Sequence, residues 1–142
     1  WSSDVCSSDL WMTRLHCLFI NRSDVKEALK TILAGIDNIK NGISMCIFPE
    51  GTRNKTEDLM LPFKEGSFKM AEKTGCLIVP MAISGSADIL EAHFPKVKPV
   101  HVIVEYGKPI DPKSLDKDTR KKIGSHCQGV IAEMLEKNNP QI

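Results

Sequence analysis

The segment Phe48-Pro49-Glu50-Gly51-Thr52-Arg53-Asn54 places a carboxylate, a flexible glycine, a hydroxyl and a guanidinium directly after the apolar run Ile43–Phe48. That combination suits phosphate. The planar fork of Arg53 can donate two parallel hydrogen bonds to an oxyanion. Gly51 leaves room for backbone N–H groups to approach an anion without a side chain in the way. If the apolar run is a strand, the segment lies at its carboxyl end, where open α/β sheets bind their ligands. Taken by itself, however, the stretch also describes an ordinary polar loop in which Arg53 pairs with Glu50. Short Gly-Thr-Arg sequences are common enough that residue types alone favour that plainer reading.

Neighbouring segments shift the balance. Phe19-Ile20-Asn21-Arg22, Phe63-Lys64-Glu65-Gly66-Ser67-Phe68, Ile78-Val79-Pro80-Met81-Ala82-Ile83 and Gly107-Lys108-Pro109-Ile110 stand in order around the Phe48–Asn54 stretch. Together they resemble the signature blocks of the glycerolipid acyltransferase superfamily, usually written FIDR, FPEGTRS, FKxGxF and VPVAI. The likeness covers nearly all of the chain after its first residues and is most like the 1-acylglycerol-3-phosphate acyltransferases. It implies that Arg22 and Arg53 contact the acceptor phosphate, that Lys64 is a further phosphate contact, and that Glu50, Gly51 and Thr52 shape the acceptor pocket. Asn21 stands where the family usually has aspartate, which removes a charge beside Arg22.

The resemblance also implies an activity: transfer of a fatty acyl group from acyl-CoA or acyl carrier protein to a lysophosphatidate acceptor, giving phosphatidic acid, on the cytoplasmic side of a membrane and without a cofactor. The family's base is a histidine followed five residues later by an aspartate, the histidine taking the proton of the acceptor hydroxyl and the aspartate orienting it. None of the four histidines in this sequence has an aspartate at that spacing. His16 has Asn21 there, but in a strand positions five apart point to opposite faces, so His16 is expected to be a strand residue and not the base. His93, His101 and His126 are expected to be structural or exposed.

The opening WSSDVCSSDL, with Ser-Ser-Asp at Ser2–Asp4 and again at Ser7–Asp9, lacks helical or strand periodicity. It reads as a non-native leader over residues 1–10, with residues 11–142 a fragment of the acyltransferase domain. On that reading the histidine-aspartate block and any membrane anchor belong to an upstream region, and this fragment does not turn over alone. The alternatives are a non-catalytic module that binds phosphate or lysophospholipid, and an acyltransferase with another acceptor. A nucleotide-binding domain is disfavoured, since neither GxxxxGK[ST] nor GxGxxG occurs.

The elements that must position these residues follow from periodicity. Leu15–Ile20, Ile43–Phe48 and Cys76–Ile83 are short continuous apolar runs, expected as buried strands, with Pro80 marking an edge, a bulge or a strand end. Val100–Tyr106 alternates and is expected as a strand with one face more exposed. Val25, Leu29, Ile32, Ile36 and Ile39 recur at helical spacing behind the caps Ser23 or Asp24, with Gly42 as the stop. A short helix is expected near Gly66–Lys73, ended by Gly75, and a longer one over about Asp118–Glu136, weakened by Gly124 and Gly129. This order predicts one α/β domain with a mostly parallel or mixed sheet covered by helices, as in glycerol-3-phosphate acyltransferases.

Composition sets the outer bounds. The chain has 142 residues, 42% hydrophobic and 26% charged, which suits one globular domain. A net charge of +1 gives no ground for a nucleic-acid binder. Five cysteines without a CxxC pair read as buried or free thiols in a reducing compartment, with no disulfide framework and no metal site. No apolar run approaches the roughly 20 residues of a membrane span. The fragment is therefore expected to be soluble or peripheral.

Overall fold

The computed structural model describes residues 7–20, 24–56 and 58–141. They fall into two compact units, divided between Cys46 and Ile47.

The first unit contains α1 (Ser7–Arg14) and α2 (Val25–Lys40). Residues 7–10, whose sequence shows no helical periodicity, are helical: local backbone bonds need no apolar stripe to form. The expected strand Leu15–Ile20 is absent. Leu15 and His16 instead close α1 in a turn, with His16 at φ 58° and its N–H on the Thr13 carbonyl at 3.0 Å. Histidine is among the few non-glycine residues that enter this left-handed region with any frequency. Phe19 remains tied to α2 through Thr31, whose hydroxyl donates to the Phe19 carbonyl at 3.1 Å.

The expectations for α2 hold closely. Asp24, not Ser23, is the cap that can be seen: its carboxylate accepts from the N–H groups of Lys26 at 2.8 Å and Glu27 at 3.2 Å. Ser23 lies outside the described residues, as do Asn21 and Arg22. Gly42, at φ 82°, ends the helix with its N–H on the Ile39 carbonyl. The apolar face is covered only toward its C-terminal half. Ile36 is buried, Ile32 and Ile39 are half-buried, and Val25 and Leu29 are exposed.

In the second unit, α3 (Lys69–Thr74) follows a 3-10 turn over Glu65–Phe68 and ends at Gly75, left-handed at φ 67°, whose N–H reaches the Ala71 carbonyl. Strands β1 (Met81–Ser84) and β2 (Ile103–Tyr106) pair antiparallel, from Met81 opposite Tyr106 to Ser84 opposite Ile103. Among the described residues this antiparallel pair is the sheet, where the sequence predicts a mostly parallel or mixed one. The pairing is interrupted at Pro80, which has no N–H to give: Ile78 bridges Ile110 on one side, β1 begins at Met81 on the other, and the Pro80 carbonyl accepts from Gly107. Ile43–Phe48, expected as a buried strand, forms no ladder among the described residues, and Ile47 and Phe48 are exposed. An apolar run becomes a strand only where a neighbour takes up its backbone groups.

The C-terminal helix is two helices, α4 (Lys117–Lys121) and α5 (Ile123–Asn138), broken at Lys122. Arg120 is not simply solvated: its guanidinium donates to the Lys113 and Leu115 carbonyls at 2.9 and 3.0 Å. Ile123 and Cys127 on α5 are buried against Phe68, with Phe63, Ile78, Ile110 and Leu115 packed around them. β2 is locked to the end of α5 by Glu105, whose two carboxylate oxygens accept from Lys137 and from buried Asn138, each at 2.8 Å. This explains why Ile103 and Glu105 form the more sheltered face of β2, while Val104 and Tyr106 are exposed.

Candidate functional site

The Phe48–Asn54 segment folds as a pinned loop. Gly51 sits at φ 72°, a conformation that glycine adopts without strain, and its N–H donates to the Phe48 carbonyl at 3.0 Å. That N–H is therefore spent on the turn and does not serve as a free anion donor. The turn is tied across the loop at two points. Lys64 N–H donates to the Pro49 carbonyl at 2.9 Å, and Leu61 N–H donates to the Glu50 carboxylate at 2.8 Å. Next along, Phe63 N–H donates to the side-chain oxygen of Gln128 on α5 at 3.3 Å, which fastens the base of the loop to the core helix.

Glu50 thus has a structural task and does not pair with Arg53. The partner of Arg53 is Glu91, at 3.5 Å, in an ion pair with both side chains largely in water. Nothing in the sequence marks Glu91, since it lies far along the chain from Arg53 and outside every signature block. Lys64 bends back over the turn: a Cβ added to Gly51 would stand 3.2 Å from the Lys64 ammonium. Gly51 is needed here for its backbone angle and for the space that Lys64 fills. Thr52 is exposed. Beyond Arg53, Asn54 organises its own turn, accepting from Thr56 N–H at 2.9 Å and donating to the Asp58 carbonyl at 2.7 Å.

Of the residues singled out from sequence, Glu50, Gly51 and Lys64 are therefore brought together, Thr52 and Arg53 are displayed beside them, and Arg22 lies outside the described residues. The arrangement offers two cations on a loop of fixed backbone. An anion held by Arg53 would gain charge-assisted hydrogen bonds and displace only a weak, solvent-exposed pair.

Among the described residues the remaining titratable groups show no second centre of this kind. Among the described residues no cluster of histidine, cysteine and carboxylate has the arrangement of a metal site. His101 and His126 are exposed and His93 is half-buried. Cys17, Cys46, Cys76 and Cys127 are free thiols, and Cys6 lies outside the described residues. Only Cys127 is buried, and burial, with the nearby Glu65 charge, pushes its thiol up to about 11, away from thiolate chemistry. An open concavity of about 370 Å³ is lined by Asp118, Thr119, Lys122, Ser125 and His126, none of which belongs to the pinned loop. No helix among the described residues is long and apolar enough to cross a membrane.

The acyltransferase family model matches residues 7–84, more than half of the chain, and the chain belongs to that family. It is 36% identical over 120 residues to the 1-acyl-sn-glycerol-3-phosphate acyltransferase of Saccharomyces cerevisiae, covering 83% of this chain and 39% of that protein. It is 30% identical over 133 residues to the enzyme of the same name from Salmonella typhimurium, covering 93% of this chain and 52% of that protein. The chain thus spans about two-fifths to one-half of the length of these relatives. The crystal structure of the 1-acyl-sn-glycerophosphate (LPA) acyltransferase PlsC from Thermotoga maritima superposes with a TM-score of 0.77 at 24% identity, over 94% of this chain and 52% of that one. That likeness shows the fold.

Proposed function

We propose that this chain is the acceptor-phosphate-binding part of an enzyme that transfers a fatty acyl group from acyl-CoA or acyl carrier protein to 1-acyl-sn-glycerol-3-phosphate, forming phosphatidic acid. The observation that carries the reading is the pinned loop, in which Gly51 makes room for Lys64 and Arg53 is held only by an exposed pair with Glu91. The names of the relatives support lysophosphatidate as the acceptor. Arg53 and Lys64 take the phosphate, with Arg22 as a third contact. Glu50 acts through Leu61, holding the loop in the shape that presents them.

In the reaction the free acceptor hydroxyl attacks the thioester carbonyl, its proton passes to a base, and the donor leaves as a thiol. Binding the phosphate fixes the position of that hydroxyl, so the loop contributes by orientation. The base is a histidine with an aspartate five residues on, a pattern that this sequence does not contain. The working enzyme acts at the cytoplasmic face of a membrane.

The test is acyl transfer from acyl-CoA to lysophosphatidate by this chain and by a form extended upstream, with Arg53→Ala in whichever form is active. Transfer by the extended form, with an acceptor KM raised by about tenfold or more in Arg53→Ala, is the expected outcome. It corresponds to roughly 1.5–3 kcal/mol for a lost hydrogen bond to a charged group. Lysophosphatidate binding without transfer in the extended form would instead establish a non-catalytic binding module. Unchanged acceptor kinetics in Arg53→Ala would remove that residue from the site.

A further inference from the structure

Between β1 and β2 the segment Ile89–Lys98 closes on itself. Lys98 N–H donates to the Ile89 carbonyl at 3.0 Å, while His93 N–H reaches Leu90 at 3.0 Å and Lys96 N–H reaches His93 at 2.9 Å. A compact loop of this kind holds its tip in place. The tip, however, is apolar: Phe94 is 77% exposed and Val97 is 70% exposed. Within Ala92–Val100 the charged side chains are Lys96 and Lys98, both exposed, with no carboxylate among them. Just before the tip, Glu91 makes the ion pair with Arg53, so this loop and the candidate phosphate loop touch.

A hydrogen-bonded loop that presents an aromatic ring and a branched aliphatic side chain to water, alternating with lysines, has the pattern of an interfacial contact. We propose that Phe94 and Val97 enter the surface of an anionic bilayer while Lys96 and Lys98 rest among its phosphates, and that the phosphate loop, which this segment meets at Glu91, lies next to that surface. The last clause rests on the proposed function; the lipid contact itself does not. Charge favours a membrane over a second copy of the chain, because a two-fold contact through this tip would bring the same lysines face to face. It also fits a lipid acceptor, which then passes to Arg53 without crossing bulk water.

The experiment is sedimentation of the full chain with phosphatidylcholine vesicles, with and without phosphatidylserine. The wild type is expected to bind the anionic vesicles, and Phe94→Asp with Val97→Asp to weaken that binding by about tenfold or more. Lys96→Gln and Lys98→Gln are each expected to cost about fivefold on anionic vesicles at low salt and little on neutral ones. A tryptophan placed by Phe94→Trp should be quenched by brominated acyl chains beyond the quenching seen in the wild type. Soluble glycerol 3-phosphate should bind the double aspartate variant as it binds the wild type, so that loss of this binding in both proteins with vesicle binding intact counts against the phosphate reading and not against this one. Because the tip side chains are exposed, the variants should keep the wild-type Tm. Equal vesicle binding by the wild type and the double aspartate variant would overturn the proposal. Self-association without vesicle binding, lost in that same variant, would overturn it in favour of a second copy.

Discussion

Glu50 and Arg53 stand close in the chain with opposite charges, yet they do different work. Glu50 is half-buried and accepts the Leu61 N–H at 2.8 Å, whereas Arg53 meets Glu91 at 3.5 Å in water. The two substitutions should therefore separate stability from binding. Glu50→Ala, which leaves the Leu61 N–H without its partner and frees the loop, should cost about 1 kcal/mol. Arg53→Ala should cost less than about 1 kcal/mol, as exposed ion pairs do. Urea unfolding of both variants measures the difference. A larger loss in Arg53→Ala than in Glu50→Ala would mean that the charge pair, and not the carboxylate-to-backbone bond, holds the loop.

At the level of elements, two glycines make opposite predictions. Gly75 ends α3 at φ 67°, and a Cβ added there would run into the Lys113 side chain. Gly75→Ala should therefore destabilise the protein by about 1–2 kcal/mol, the cost of a left-handed non-glycine residue, before any displacement of Lys113. Gly129 lies within α5, is exposed, and has nothing within 4 Å of an added Cβ. Gly129→Ala should stabilise by about 0.5–1 kcal/mol, because alanine loses less backbone freedom on entering a helix. Thermal melts of the two variants should shift in opposite directions; a loss in Gly129→Ala would show that α5 meets a neighbour there.

For the molecule as a whole, acid should be the weak side. The Glu105 carboxyl is held below its ordinary 4.5 by the hydrogen bond from Lys137 and then by that from Asn138. Asp116 is held below 3.8 by hydrogen bonds from Thr119, backbone first, and then from the Asp118 N–H, where it caps α4. A carboxylate whose pKa is lower in the folded state contributes stability that is fully present above its unfolded value. That stability is lost as the pH falls through the folded value, because the unfolded chain takes up protons first. Stability should accordingly drop as the pH is lowered from about 4.5, and the drop should be shallower in Glu105→Gln. Urea midpoints measured across that range test it, and parallel curves for the two proteins would exclude Glu105 as the cause.

What the sequence determined by itself was mostly local. Asp24 before an amphipathic stretch, Gly42 and Gly75 after one, and Pro80 inside an apolar run each act through their own backbone geometry, and each was legible at its own position. The ordered signature blocks were legible in the same way, as strings, and they led to the family. Only tertiary structure decided the pairings. Leu15–Ile20 and Ile43–Phe48 have the composition of strands, but a strand exists only where another segment takes its N–H and carbonyl groups. Likewise, no property of Arg53 names Glu91, and none of Glu50 names Leu61. Those contacts depend on how distant segments return to one loop, which residue type alone does not carry.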